Sequence, residues 1–283
     1  MSTAVADTGE QLSTHSGSIK VRRMDFEFGQ DIPEFWFDNN PFLTAMMTAL
    51  SVSFPPGERY FIDSVRHYQN QIEDSELKAQ IRAFIGQEAN HTKEHIAMNR
   101  FMDEKGYPAT KMENFVRDRI AWIQKNSTPE QNLARTAALE HLTAIMAGTF
   151  LDHPHVLDKM HPELAKIWAW HAVEEVEHRA VAFDVYKAVV NDERLRTRTM
   201  ANATMFFIMV NTVRTFMLLN VSGNLFNLKA WGKGLNMMWG RPGVLRKIIP
   251  AYFSYYRKGF HPTQLVHDAQ VETAKVKYFA DKA

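Results

Sequence analysis

The stretch Trp168–Ala182, WAWHAVEEVEHRAVA, decides how this chain is read. It holds no Pro or Gly, and its apolar residues recur at helical rather than alternating spacing. Within it His171, Glu175 and His178 fall at i, i+4 and i+7, so the three share one helix face. Glu174 and Glu177 sit off that face and are expected to meet solvent or pair with Arg. Alone, a Glu-x-x-His run is common and reads as a solvated helix face. It becomes one wall of a metal site only if other segments supply the remaining walls.

Those segments are present. Helical bundles that hold two metals take one Glu from each of two helices and a Glu-x-x-His pair from each of two others. The i, i+3 spacing puts both side chains of a pair on one face, a turn apart. Here Glu58 lies early on one expected helix and Glu88-Ala-Asn-His91 forms a pair on the next. Glu140 sits mid-way along a third, and Glu175-Val-Glu-His178 is the second pair. The order Glu, Glu-x-x-His, Glu, Glu-x-x-His is complete. Apolar flanks (Phe84, Ile85, Leu139, Leu142, Trp168, Trp170, Val181) favour an inward orientation. His171 would add a third imidazole. The expected ligands are Glu58, Glu88, His91, Glu140, His171, Glu175 and His178, with the four carboxylates carrying the chemistry.

Composition narrows the chemistry. The 283 residues include no cysteine, which excludes disulfides, zinc-thiolate sites and thiol nucleophiles. A metal must be held by imidazole and carboxylate, which favours iron, with manganese or zinc as alternatives. No nucleophile elbow, phosphate loop or dinucleotide fingerprint occurs. The net charge of +1 hides an asymmetry: Arg194–His267 has eleven Lys or Arg and no Asp or Glu. The rest of the chain keeps 22 of the 33 basic residues against all 32 acidic ones.

The fold expected is all-α, a ferritin-like helical bundle with additional C-terminal helices packed on it. Residues 1–19 read as a disordered leader, 20–192 as the di-metal bundle, and 193–283 as a basic, apolar helical extension. Helices are expected at Pro41–Ser53, about Gly57–Ile72 after a break at FPPGE, and from Asp74 to the Gly-Tyr-Pro stop. Others are expected at Lys111–Lys125, Pro129–Leu151 and Pro162–Val190, with a connector before the last. Met200–Val221 is long enough to reach across a bilayer. However, a central Arg214 costs about 2.5 kcal/mol or more on insertion, so a buried or interfacial helix is expected instead. Lys/Arg interleaved with Trp, Tyr and Met through 200–260 suits peripheral membrane contact or a lid over the bundle. Its apolar surface also fits a homodimer. No nucleic-acid module accompanies the charge. The chain is expected to be cytoplasmic, peripheral at the inner membrane if 200–260 touches lipid.

Among the remaining candidates, His95 follows His91 by four and suits orientation of a ligand. Glu94 is expected at solvent or against Arg. Arg59 and Arg66 read as a solvated face, with charge compensation for the site as the alternative. His141 lies off the Glu140 face, His153, His155 and His161 fall in a connector, and His261 belongs to a helix stop.

The segments FPPGERYFIDSVRHY, FIGQEANHTKEH and WAWHAVEEVEHRAVAFDVY, with the later GFHP, resemble a bacterial family described as predicted metal-dependent hydrolase. That resemblance runs from about Phe54 through most of the chain and implies the ferritin-like superfamily. The ligand order is also similar to non-haem di-iron N-oxygenases such as p-aminobenzoate N-oxygenase, including a His four residues before the last Glu-x-x-His. It implies the same seven ligands. Three functions follow as expectations: a di-iron oxidase or oxygenase acting on an apolar or lipid-like small molecule, with an unidentified electron donor; a two-metal hydrolase; or a non-enzymatic iron-binding or membrane-associated protein.

Overall fold

The computed structural model describes residues 19–280 and 282; the leader reading, apart from residue 19, lies outside them. Among the described residues the regular structure is helical, and the strand-like element is one isolated bridge between Phe37 and Met160. The all-α expectation holds, and the arrangement is compatible with a ferritin-like bundle.

Among the described residues twelve α-helices follow a strap, residues 19–40, that runs along the bundle. α1 (Pro41–Ser51) starts where the Asn40 side chain accepts from the amides of Phe42 and Leu43, at 2.9 and 3.1 Å. α2 spans Phe54–Tyr68. FPPGE is therefore a helix start and not a break. Pro55 and Pro56 sit in the first turn, where the missing N–H groups have no helical acceptor to lose. α3 (Ser75–Glu104) is capped by Asp74, which accepts from Leu77 N at 2.7 Å, and it stops at Gly106, whose φ is 91°. α4 (Ala109–Lys125) carries the chain across to α5 (Pro129–Leu151). A capping box opens α5: Thr128 accepts from Gln131 N while the Gln131 side chain accepts from Thr128 N.

The connector contains a one-turn helix, α6 (Pro154–Leu157). The single helix expected over Pro162–Val190 is two, α7 (Pro162–His178) and α8 (Val181–Val189), interrupted immediately after His178. At the break the Arg179 guanidinium donates back to the Val176 carbonyl. The strap is held to this region by backbone bonds, Asp38 N to Lys159 O and His161 N to Trp36 O, both 2.7 Å.

α9 (Glu193–Val221) lies against α1 and α5, and α10 (Leu228–Leu235) against α1. The close approach of α10 requires Gly234, where a Cβ would come 2.2 Å from Phe42 Cδ1. A π-helical turn leads to α11 (Val244–Ser254) on α5, and α12 (Asp268–Phe279) returns to cover α7. Phe42, Trp170, Leu218, Met237 and Val271 belong to one continuous core. α9 is long and apolar enough to cross a membrane by length and composition, with 22% of its most apolar window buried.

Candidate metal centre

The four helices α2, α3, α5 and α7 each deliver carboxylate to one buried space. Glu58, Glu88, Glu140 and Glu175 are at most 4% exposed, and His91, His171 and His178 at most 3%. Glu58, Glu88 and His91 offer ligand atoms within 4.8 Å of one another; so do His91, His171 and Glu175, and so do Glu88, Glu175 and His178. Glu140 completes the group, with its Oε2 3.3 Å from His178 Nε2. All seven expected residues therefore converge. Glu88 and Glu175, the carboxylates of the two Glu-x-x-His pairs, belong to groupings on both sides, where bridging ligands would sit.

Both carboxylate oxygens of Glu58, Glu88 and Glu140, one of Glu175, His91 Nδ1 and His178 Nε2 have no hydrogen-bond partner. Leaving that many buried polar atoms unpaired is costly. Divalent cations held by oxygen and imidazole nitrogen would satisfy them all, so the donor set fits a dinuclear metal centre.

Each imidazole presents one nitrogen to this space and is held through the other. His91 Nε2 lies 3.1 Å from Glu174 Oε2. His171 Nδ1 lies 2.7 Å from His95 Nε2, and His95 Nδ1 is 2.9 Å from Ser51 Oγ. His178 Nδ1 donates to Gln87 Oε1 at 2.9 Å. Such outer contacts fix ring orientation and tautomer in metal sites. Aromatic edges wedge the same rings: Trp170 against His91 at 4.8 Å and Phe84 against His178 at 5.0 Å, while Phe54 lies 4.5 Å from His171.

Two of these supports converge on Arg22 of the strap. Its Nη1 reaches Glu174 Oε1 at 3.2 Å. The same guanidinium grips Glu177 with both terminal nitrogens, at 2.8 and 2.9 Å. Glu177 in turn accepts from Gln87 Nε2 at 2.9 Å. Lys275 of α12 adds a contact to Glu177 at 3.0 Å, and Phe279 lies beside the Arg22 guanidinium. Glu174 is thus fully buried rather than solvent-facing, and it pairs with Arg while also holding a site histidine. The clue in the sequence is that α7 has almost no solvent side: Ala169, Trp170, Val173 and Val176 leave its off-site faces apolar. Acids on such a helix must find partners inside.

Of the other expectations, the one for Glu94 needs correction. Glu94 is 2% exposed and accepts from the Asp25 and Phe26 amides at 3.1 and 2.9 Å, so it anchors the strap. Arg59 and Arg66 are exposed and compensate no site carboxylate. His141 is buried off the site, with Nε2 3.2 Å from the Ala251 carbonyl. His261 bonds Asp184 at 2.7 Å beside the helix stop.

The electrostatics follow from crowding. Burial pushes the Glu58 carboxyl well above its ordinary range, and the Glu88 charge adds to this. Burial raises Glu88 as well. Glu140 reaches about 8 through burial and the Glu88 charge. Burial opposes ionisation of Glu175 too, but His171 and His178 outweigh it and hold that carboxylate low. His91 and His178 rise despite burial, because Glu174 and Glu88, and Glu140 and Glu175, favour their charged forms. Burial and the His91 charge lower His171 to about 4.

The metal-free site therefore stores protons at neutral pH, and metal uptake must expel them. Loading the metal-free protein at pH 7 in weak buffer is expected to release protons, with apparent affinity rising as pH approaches about 8. A raised carboxyl pKa stabilises the fold fully below the unfolded value of 4.5, and that contribution is lost as pH rises through about 8. Metal-free protein should accordingly melt at lower temperature at pH 9 than at pH 6, and the loaded protein should show less of this decline. Titration with a pH indicator and thermal melts check both; metal uptake without proton release would contradict this charge arrangement.

A family model described as predicted metal-dependent hydrolase matches residues 20–265. No curated protein and no solved structure matches the chain.

Proposed function

This chain belongs to the predicted metal-dependent hydrolase family, and on that premise we propose that its bundle core is a dinuclear metal centre, with iron the expected metal, that activates O2 to oxidise a small apolar or lipid-like substrate. The observation that carries this reading is the set of unpartnered carboxylate oxygens and imidazole nitrogens converging from four helices in a chain without cysteine. Glu-x-x-His pairs on facing helices of a bundle are the donor arrangement of di-iron and di-manganese carboxylate proteins. Enclosure also favours a small reactant. The surface hollows lined by Leu151, Pro154 and Tyr278, and by Asp63, His67 and Gln124, share no residue with the site.

When bound, two ferrous ions would supply two electrons for O2 reduction, an external donor would restore them, and the chain would hold and orient the ions and exclude water. Glu58 and Glu140 would each serve one side, and Glu88 and Glu175 would span both. His91, His171 and His178 would complete the donors, each kept in one tautomer by Glu174, His95 or Gln87. Trp168, Trp170 and Phe54 exclude water around the imidazoles.

The family description favours a second reading, two-metal hydrolysis, in which the ions activate water and stabilise a departing oxygen. One experiment separates the two. Protein loaded anaerobically with ferrous ion and then exposed to O2 should consume it with a transient visible absorption. If O2 consumption is absent under all reductants, and zinc or manganese instead supports ester or phosphoester cleavage without O2, the hydrolase reading replaces this one.

A further inference from the structure

We propose that the outer face of α9, with the adjoining parts of α10 and α11, is a docking surface for an anionic lipid bilayer. The polarity of α9 is inverted. Its bundle side carries the buried Arg214, whose Nη1 donates to Ser53 Oγ at 2.6 Å, alongside Met200, Ala203, Leu218 and Leu219. Its outer side carries Met205, Phe206, Ile208, Met209, Val213 and Met217, each 50–58% exposed. Among the exposed positions of 201–221 none is charged. A solvated helix has the opposite distribution, and contiguous apolar surface on this scale marks an interaction site.

The patch extends beyond α9. Phe226 and Leu228, just before and at the start of α10, are 86% and 80% exposed. Trp231 of α10 touches Phe216 at 5.1 Å, which places α10 beside the C-terminal half of α9. Arg196 of α9 donates to the Tyr255 carbonyl, which places the C-terminal end of α11 beside the start of α9, and Phe253 of α11 is 62% exposed. Exposed Lys229, Arg241, Arg246, Arg257 and Lys258 accompany these residues.

Charge selects the occupant. Between Arg194 and His267 there are eleven Lys or Arg and no Asp or Glu. A second copy docked through the same patch would set these cations against their equivalents with no acid from this segment to balance them. A bilayer surface offers what the patch lacks, lipid phosphate for the basic side chains and an acyl boundary for Phe, Met and Trp. The helix would lie flat, because its Arg214 side is committed to Ser53 and the bundle. This docking does not depend on the metal reading.

Flotation of the full-length, metal-loaded protein tests it, using vesicles of phosphatidylcholine alone and of equal parts phosphatidylcholine and phosphatidylglycerol. Binding to the mixed vesicles is expected to exceed binding to phosphatidylcholine by about 10-fold or more, and to weaken with salt. The triple variant Phe206→Ser, Met209→Ser, Val213→Ser, altered only at exposed positions, should retain its metal content and helicity yet lose about 10-fold or more in binding. Lys229→Glu with Arg241→Glu should erase the preference for phosphatidylglycerol. The proposal is overturned if the protein floats with neither vesicle, or equally with both. It is also overturned if sedimentation shows a dimer that the triple-Ser variant dissociates, which would assign the face to a second copy.

Discussion

Glu88→Gln is expected to lower metal affinity by roughly 100-fold or more, and to leave metal-free protein at least as stable as wild type. The two effects have one cause. Glu88 lies within ligand distance of both Glu58 with His91 and Glu175 with His178, so its loss disables both sides of the centre. Orienting residues around a metal alone account for about 10–100-fold in affinity, and a shared ligand should exceed that. Without metal, the same carboxylate is a burden. It is fully buried, its oxygens have no hydrogen-bond partner, and it pushes up the pKa of Glu58 and Glu140. A neutral amide removes that repulsion, worth about 1.4 kcal/mol for each unit of pKa it relieves. Metal analysis with thermal melts, with and without chelator, reads both. Unchanged metal content, or a metal-free variant clearly less stable than metal-free wild type, would contradict the site.

Arg22→Ala should be the most destabilising change outside the ligands. It leaves Glu174 buried with His91 as its remaining partner, while Glu177 keeps Lys275. Removing one partner from a buried ion pair costs about 3–5 kcal/mol. Arg22 is 4% exposed, so water cannot stand in for the guanidinium. Because His91 is held by Glu174 and His178 by Gln87 and Glu177, metal affinity should fall about 10–100-fold as well. Arg22→Lys keeps the charge but cannot grip Glu177 with two nitrogens while reaching Glu174, so it should fall between wild type and Arg22→Ala in both readouts. Chemical denaturation and metal titration provide the check. An Arg22→Ala protein with wild-type metal affinity would show that the strap is not coupled to the centre.

What the sequence disclosed follows from the range of the interactions involved. The two Glu-x-x-His pairs are local patterns, and helix geometry alone brings each pair to one face. Glu58 and Glu140 were legible because they sit one per helix between those pairs. The caps at Asn40, Asp74 and Thr128 were equally local, and their helices start where those residues indicate. FPPGE was misread because Pro marks a helix start as readily as a stop. The break after His178 carries no Pro or Gly to announce it. The supports of the histidines were hidden for a different reason. Arg22 meets Glu174 across 152 positions, and Glu94 meets the strap across 69. No periodicity links an irregular strap to a helix face, and Glu174 and Glu177 look like solvent residues until α12 and the strap cover α7.

Diffraction from the metal-loaded protein, with anomalous data at the iron and manganese edges, tests the central claim most directly. Two peaks are predicted between α2, α3, α5 and α7. Glu58, Glu88 and His91 should surround one side, Glu140 and His178 the other, with Glu88 and Glu175 reaching both. His171 should be a ligand and His95 should remain behind it. A core without an anomalous peak, or peaks held only by surface residues such as His153 and His155, would contradict the account.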